Sequence, residues 1–403
     1  MTWRASTGLA AIVAVLLLPS GAGAATFRVD SRADANDANP GNGTCRTATG
    51  KCSLRAAVDE ANADIGADRI VLRAKRYQTT GIREDANDSG DYDLAISSKL
   101  RVKGAGMNRT VLDGALIDRL FQVPPGAELT LEDLKLTRGA AEFAGGGVSN
   151  VGTLVVRRVA MVGNDGGDAG GGISNTGTAT VDRSLIARND GGQTAGGIST
   201  VNPSVGFPGA LTVTRSTIAG NDGGGAGGGI FADLDGSSGQ VRLVNSTIHS
   251  NEAGQGGAIY TEGDDALVMN HVTVVRNSSD EGFPGALRTD GAVTLRNSLV
   301  GLSVGGLDCG GAVAITSLGG NLDGDGSCGS LASDLIAANP KVGALRRNGG
   351  PTPTVALKRR SKARNKIARS GAGCVAKDQR GVKRPQGRRC DIGAFELERR
   401  RRR

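Results

Sequence analysis

Apolar positions recur along the middle of the chain with a fixed internal spacing. Seven segments align on Leu129, Leu154, Ala179, Leu211, Val241, Leu267 and Val293. Two residues on, each has a second apolar residue: Leu131, Val156, Val181, Val213, Leu243, Met269 and Leu295. Seven residues on stand Leu136, Met161, Ile186, Ile218, Ile248, Val274 and Val300. Alternation with a period of two over three to five residues marks short strands with one face inward. At the tenth position five consecutive segments carry Asn, namely Asn164, Asn189, Asn221, Asn251 and Asn277. A Gly-rich step into an aliphatic residue follows, as in Gly170-Gly171-Gly172-Ile173 and Gly256-Gly257-Ala258-Ile259. Three short strands per repeat, separated by corners of Gly and Asn, describe one turn of a solenoid, since these residues tolerate left-handed backbone. Stacked turns place equivalent residues one above another, so the Asn column can form a ladder of side-chain amides. No repeat holds ten Gly-free residues with a helical period. The pattern predicts an all-β chain, a right-handed parallel β-helix, with regular repeats over 129–321.

The flanks read differently. Ser53–Ala63 is the one convincing helix, with Ser53 as N-cap and Leu54, Ala57, Val58 and Ala61 on one face. It is expected to cap the N-terminal end of the solenoid, which needs covering. Strand-like runs at Thr26–Val29, Arg69–Leu72, Leu100–Val102, Thr110–Leu112 and Leu120–Val123 suggest irregular early turns, so 25–128 is taken as cap and first turns. Two longer repeats imply loop insertions at Val201–Pro208 and Asp233–Ser238, side by side on one edge. Beyond Asn321 the repeat decays, and 322–403 forms a C-terminal region.

Composition fits this fold. Gly supplies 65 of 403 residues, whereas Phe, Tyr and Trp number 7, 3 and 1. Stacked aliphatics and Gly corners need few aromatics. Residues 1–24 read as a secretory signal peptide: Arg4, an apolar stretch from Leu9 to Leu18, and Ala22-Gly23-Ala24 as a small-x-small cleavage site. No transmembrane anchor is expected in the mature chain, which is read as a secreted or surface-attached monomer. Six cysteines, Cys45, Cys52, Cys309, Cys328, Cys374 and Cys390, form three sequence-local pairs. Six allow 15 connectivities, of which local pairing is the simplest.

The net charge of +8 hides an asymmetry. From Lys358 to Arg403 there are 18 Lys and Arg against 4 Asp and Glu, a net of +14, leaving −6 for the rest. A basic tail of this kind suits anionic surface polymers or lipid headgroups. The last residues, Arg399–Arg403, read as a solvated end. Nucleic acid is not expected as a partner, because no aromatics are interleaved with the charges.

Several motifs resemble a known family. Cys52-Ser53-Leu54-Arg55-Ala56-Ala57-Val58 resembles the CSLREA motif near the start of many exported bacterial β-helix proteins, with Ala56 in place of its Glu. Asn348-Gly349-Gly350-Pro351-Thr352-Pro353-Thr354, Asp378-Gln379-Arg380-Gly381, Arg384-Pro385-Gln386-Gly387 and Cys390-Asp391-Ile392-Gly393-Ala394-Phe395-Glu396 are similar to the choice-of-anchor Q region. The resemblance implies a secreted or surface β-helix of the pectin-lyase-like superfold, usually without an assigned activity, and a disulfide at the last cysteine pair. The stretch Lys358 to Arg364 is more basic than in similar proteins. The repeat unit is also similar to those of polymorphic outer membrane adhesins.

Candidate chemistry is sparse. Outward columns hold Glu132, Arg157 and Asp182, and beside them Asp133, Arg158, Arg183 and Arg215. Cross-strand charge pairing explains such alternation. The functional reading is a ladder of Arg157, Arg158, Arg183 and Arg215 gripping an acidic polysaccharide, since guanidinium forks suit carboxylates. No catalytic set is identified. His271 falls in the Arg column and His249 just past an inward Ile, and both read as exposed and incidental. Asp323 and Asp325 in Asp-Gly-Asp-Gly resemble a fragment of a calcium loop, but the later bidentate Glu is missing and a tight turn beside Cys309 and Cys328 is the preferred reading; Glu84, Asp85, Asp88, Asp91 and Asp93 form a second acidic loop that could bind calcium weakly. No cofactor is expected, calcium being the one candidate. The function expected is a non-enzymatic surface scaffold, an adhesin or binder of acidic polysaccharide or cell-wall polymer. The alternative is an extracellular polysaccharide lyase or glycoside hydrolase.

Overall fold

A computed structural model describes residues 23–63, 66–81, 92–202, 209–234, 239–263, 266–329, 331–369 and 373–398. Outside these lie most of the signal-like segment, the acidic loop at 84–91, the two insertions at 203–208 and 235–238, and Arg399–Arg403.

The chain is a parallel β-helix. Each turn supplies a five-residue strand such as Thr153–Arg157, then a three-residue strand such as Ala160–Val162, then a third such as Ile173–Asn175. Successive turns pair in register, Leu154 with Leu129 and Ala179, Met161 with Leu136 and Ile186, Ile173 with Val148 and Ile198. Three long parallel sheets result, called I, II and III in the order of these strands. Alternation along each strand puts the aliphatic set inside, where Leu129, Val156, Val181, Val213, Leu243 and Ile248 have no exposed surface.

The stack begins earlier than the repeat suggests. Asp68 pairs with Leu100 and Leu100 with Leu129, so the chain from Ala67 already forms complete three-strand turns. The helix Leu54–Ala63 covers the open end with buried Leu54, Ala57, Val58 and Ala61. Ser53 Oγ accepts the Ala56 N–H at 3.0 Å, which caps the helix start.

Two corner columns are left-handed. After each sheet I strand from Glu128–Glu132 to Ala292–Arg296 stands one such residue, Asp133, Arg158, Arg183, Arg215, Asn245, His271 and Asn297, with φ between 48° and 54°. After each sheet II strand from Lys135–Thr137 to Leu299–Gly301 comes another, at Arg138, Gly163, Arg188, Gly220, Ser250, Arg276 and Leu302. The Asn column follows directly and is buried. Asn164 Nδ2 donates to Asn189 Oδ1 at 2.9 Å, Asn189 to Asn221 at 2.9 Å, Asn221 to Asn251 at 2.8 Å and Asn251 to Asn277 at 3.0 Å. Each Oδ1 also accepts the backbone N–H of the Asn one turn earlier, as Asn251 does from Asn221 at 3.1 Å. In a second file Ser216 Oγ accepts the Ser184 N–H at 3.0 Å and Ser246 Oγ accepts the Ser216 N–H at 3.2 Å.

The Gly-rich step has a steric cause. A Cβ on Gly171 would overlap the Asp190 carbonyl of the next turn. Gly171→Ala should therefore destabilise the fold by about 2–3 kcal/mol through overpacking. A urea melt showing a loss below about 0.5 kcal/mol would refute that account.

Residues 342–398 leave the stack. A hairpin of Val342–Arg346 and Thr354–Leu357 is followed by irregular chain. This segment is no pendant tail but lies along the sheet II flank. Gln379 Nε2 donates to the Ser216 carbonyl at 3.0 Å, and Thr247 Oγ1 donates to Gln379 Oε1 at 2.6 Å. Ala394 N–H donates to Thr273 Oγ1 at 2.9 Å. The three disulfides are Cys45–Cys52, Cys309–Cys328 and Cys374–Cys390, the last closing a loop within this strap.

Candidate polyanion-binding face

The Arg column comes first. Arg158 forks Asp133 at 2.6 and 2.8 Å. Arg215 meets Asp182 at 2.7 Å, Arg183 reaches the same carboxylate at 3.3 Å, and Arg157 lies 3.5 Å from Glu132. Arg158 holds the Asp133 carboxyl below its usual range by hydrogen bonding. All four guanidiniums thus stand against carboxylates of their own wall, and an incoming polyanion would have to displace those partners.

Further along the same corner column the residues change role. Asn245 Nδ2 donates to the Lys377 carbonyl at 2.9 Å, and His271 Nε2 lies 3.0 Å from the Gly373 carbonyl. His271 is fully buried under the strap rather than exposed. Burial, and then the charge of Arg384, push its pKa down to about 3. Neutral at ordinary pH, it serves docking.

The acidic turn gathers a residue that the motif in sequence does not contain. Asp308 joins Asp323 and Asp325, each offering an oxygen within 4.8 Å of the others. Burial raises the carboxyl pKa of Asp308 and Asp323. The cluster is held internally, Cys328 N–H donating to Asp323 at 2.7 Å and Asp308 N–H to Asp325 at 2.8 Å. These bonds describe a turn braced beside the Cys309–Cys328 bridge, and we assign it no metal.

Two carboxylates also meet on the outer face of sheet III. Tyr260 hydroxyl lies 2.7 Å from Glu262 and 3.0 Å from Asp290. One face of the ring is taken by Arg288, whose guanidinium lies 5.8 Å from the centroid, and Phe231 meets it edge-on at 5.6 Å. Burial pushes the Asp290 carboxyl up, but the Ala312 N–H, Arg288 and Tyr260 outweigh it and leave the pKa lowered. General-acid work needs a carboxyl held protonated, so Asp290 is unsuited to that role.

The strap carries the strongest electrostatic feature. All four of its acids are used internally. Asp378 pairs with Arg380 at 2.8 Å, Glu396 with Arg384 at 3.3 Å, Glu398 with Arg380 at 3.2 Å, and Asp391 accepts the N–H groups of Asn365 and Leu397 at 2.7 Å each. Asp378, Asp391 and Glu396 are buried. Of the other described cations from Lys358 on, Arg364 is half-buried and ten face solvent: Lys358, Arg359, Arg360, Lys362, Lys366, Arg369, Lys377, Lys383, Arg388 and Arg389 are exposed. Among the described residues none of these ten stands in an ion pair. With three acids buried and the exposed Glu398 taken up by Arg380, the outer cations leave an uncompensated positive face. Sequence counting found the excess charge; that the acids are withdrawn from the surface follows only from the folded strap.

Fold and face together define a parallel β-helix with a basic strap bound along one flank. No family model matches the chain, and no curated protein does. Among solved structures, one titled "Crystal structure of pectate lyase Pel9A" superposes with a TM-score of 0.48 at 16% identity, covering 94% of this chain and 97% of that one. The fold assignment stands on the three sheets and their register.

Proposed function

We propose that the protein is a secreted or cell-surface β-helix scaffold of the CSLREA / choice-of-anchor Q type. It acts as a monomer that holds an acidic polysaccharide or cell-wall polymer without cleaving it. The observation that carries this reading is the charge segregation in the strap. Three of its four acids are buried, and ten of its cations face outward with no ion pair among the described residues. Three disulfides fit an oxidising, extracellular setting. No helix among the described residues is long and apolar enough to cross a membrane.

The test is retention of the full chain on immobilised polygalacturonate across a salt gradient. Retention should fall steeply with salt. The triple variant Arg359→Glu, Arg360→Glu, Lys362→Glu should lose tenfold or more, since each cation near an anionic surface contributes about 1 kcal/mol. Arg183→Glu with Arg215→Glu, on the ion-paired wall, should change retention less than twofold. The reverse ranking would return the site to the Arg column. Release of unsaturated, ultraviolet-absorbing products in a calcium-dependent manner would replace the scaffold reading with a lyase.

A further inference from the structure

Beneath the hairpin of the strap lies an open groove of about 570 Å³. That volume falls within the roughly 300–1,000 Å³ of sites that hold small ligands. One wall is the sheet II flank, with His249 and Arg276; the other is the hairpin, with Arg346 and Lys358. No carboxylate lines it. Arg276 Nη1 donates to the Gly343 carbonyl at 3.2 Å, which fixes the guanidinium between the walls. None of the three cations has an ion pair among the described residues. His249 Nε2 has no hydrogen-bond partner among the described residues. Burial, then the charge of Arg276, lower the His249 pKa to about 4, so the imidazole is neutral beside three cations.

From Arg276 the corner column runs on along the solenoid beyond the groove. Ala187, Ala219, His249 and Val275 are in register on successive turns, so the corner residues that follow them line up as Arg188, Gly220, Ser250 and Arg276. Arg188 and Arg276 are three turns apart, about 14 Å at the strand spacing. The corners between them are small, and a Cβ on Gly220 would meet nothing closer than 3.8 Å. Cations thus stand at both ends of a low track.

We propose that this groove seats an oxyanion group of an acidic glycan, a uronate carboxylate or a sulfate ester, with the glycan chain running along the track toward Arg188. The proposal rests on the polymer-holding reading above and names the seat within it. Guanidinium forks match planar and tetrahedral oxyanions by paired hydrogen bonds. The lining holds no Phe, Tyr or Trp on which a nucleobase could stack, which favours a glycan over a single-stranded nucleic acid.

The test is calorimetric titration of the full chain with three probes: a galacturonate hexamer, a sulfated hexasaccharide and an eight-nucleotide single strand. One or both oligosaccharides should bind with one site per chain, and which of them binds identifies the oxyanion. Arg276→Ala and Arg346→Ala should each weaken binding at least fivefold, with Arg276→Lys partly restoring it. Arg242→Ala, on sheet I, should leave it unchanged. Arg346 is exposed, so its variant guards against a folding defect at Arg276, and a thermal melt checks both. Oligosaccharide binding indifferent to Arg276 and Arg346 would overturn the groove, and so would failure of both oligosaccharides while polygalacturonate retention persists. Tighter, groove-dependent binding of the oligonucleotide would overturn the glycan. Loss of polymer retention altogether would instead overturn the polymer-holding reading itself.

Discussion

Replacing Arg384 with methionine should release the strap from the solenoid while the β-helix stays folded. Arg384 is fully buried, and its partner Glu396 is 1% exposed. It donates to the carbonyls of Asp391 at 3.0 Å and Gly393 at 2.8 Å, and to Asn245 Oδ1 on the solenoid at 3.2 Å. Burying a cation is itself costly, but removing it from such a nest leaves charges without compensation, which costs about 3–5 kcal/mol. Burial already raises the carboxyl pKa of Glu396 and Asp391 even with Arg384 present. For a carboxyl raised on folding, the folded state binds more protons than the unfolded one just above the unfolded pKa. Stability therefore falls as pH rises through that window and recovers as pH falls. The variant strap should be most labile at neutral pH and partly re-protected near the unfolded Glu value of about 4.3. Hydrogen exchange over residues 373–398 reads this directly. Protection equal to that of the parent protein at pH 7 would show that the pair does not hold the strap, and protection that worsens toward acid would mean the pH dependence has the opposite sign.

Asn221→Ala should lower the stability of the solenoid itself by about 3–5 kcal/mol, since leaving a buried polar group unsatisfied costs about 1–3 kcal/mol and several are left at once. Asn221 Oδ1 accepts Asn189 N–H at 3.1 Å and Asn189 Nδ2 at 2.9 Å. Its own amide donates to Asn251 at 2.8 Å and to the Ile186 carbonyl at 3.1 Å. Alanine strips partners from the turns on both sides, because the file is continuous through these three turns. Asn277→Ala, at the end of the file, should cost less: its Oδ1 accepts from Asn251, while its own amide donates to the Ile248 carbonyl at 3.3 Å. Denaturant melts of the two variants give the ranking. Equal, small losses below about 1 kcal/mol would mean that water replaces the missing amide.

The solenoid was legible because stacking writes itself into the sequence. A turn of the helix returns Leu129, Leu154 and Ala179 to one vertical line, so a recurrence in sequence is a column in space. The strands of the first turns were legible as runs at Arg69–Leu72 and Leu100–Val102, but their regular register was not, because the connections between them do not repeat the spacing of the later turns. Local cysteine spacing sufficed for the disulfides, since each bridge closes a short loop.

The site was far less legible, for a physical reason in each case. Gln379 binds Thr217 and Thr247 across more than a hundred residues, and no local pattern records such a contact. His271 sits in a column that looks exposed until the strap covers it. Asp308 lies well before Asp323 in sequence and meets it only through the fold. The basic groove draws one wall from residues 249 and 276 and the other from 342–358, so its charge is visible in composition but its shape is not.

The strap has a mechanical consequence. In a stack where each turn touches only its neighbours, a pull on the last turn peels strands one at a time. In this protein the docked chain grips Arg215, Asn245, His271 and Asn297, corner residues of four successive turns. A load entering through the basic face is shared among those turns in shear rather than passed to one end. A polymer held there could tug on the protein without unzipping it.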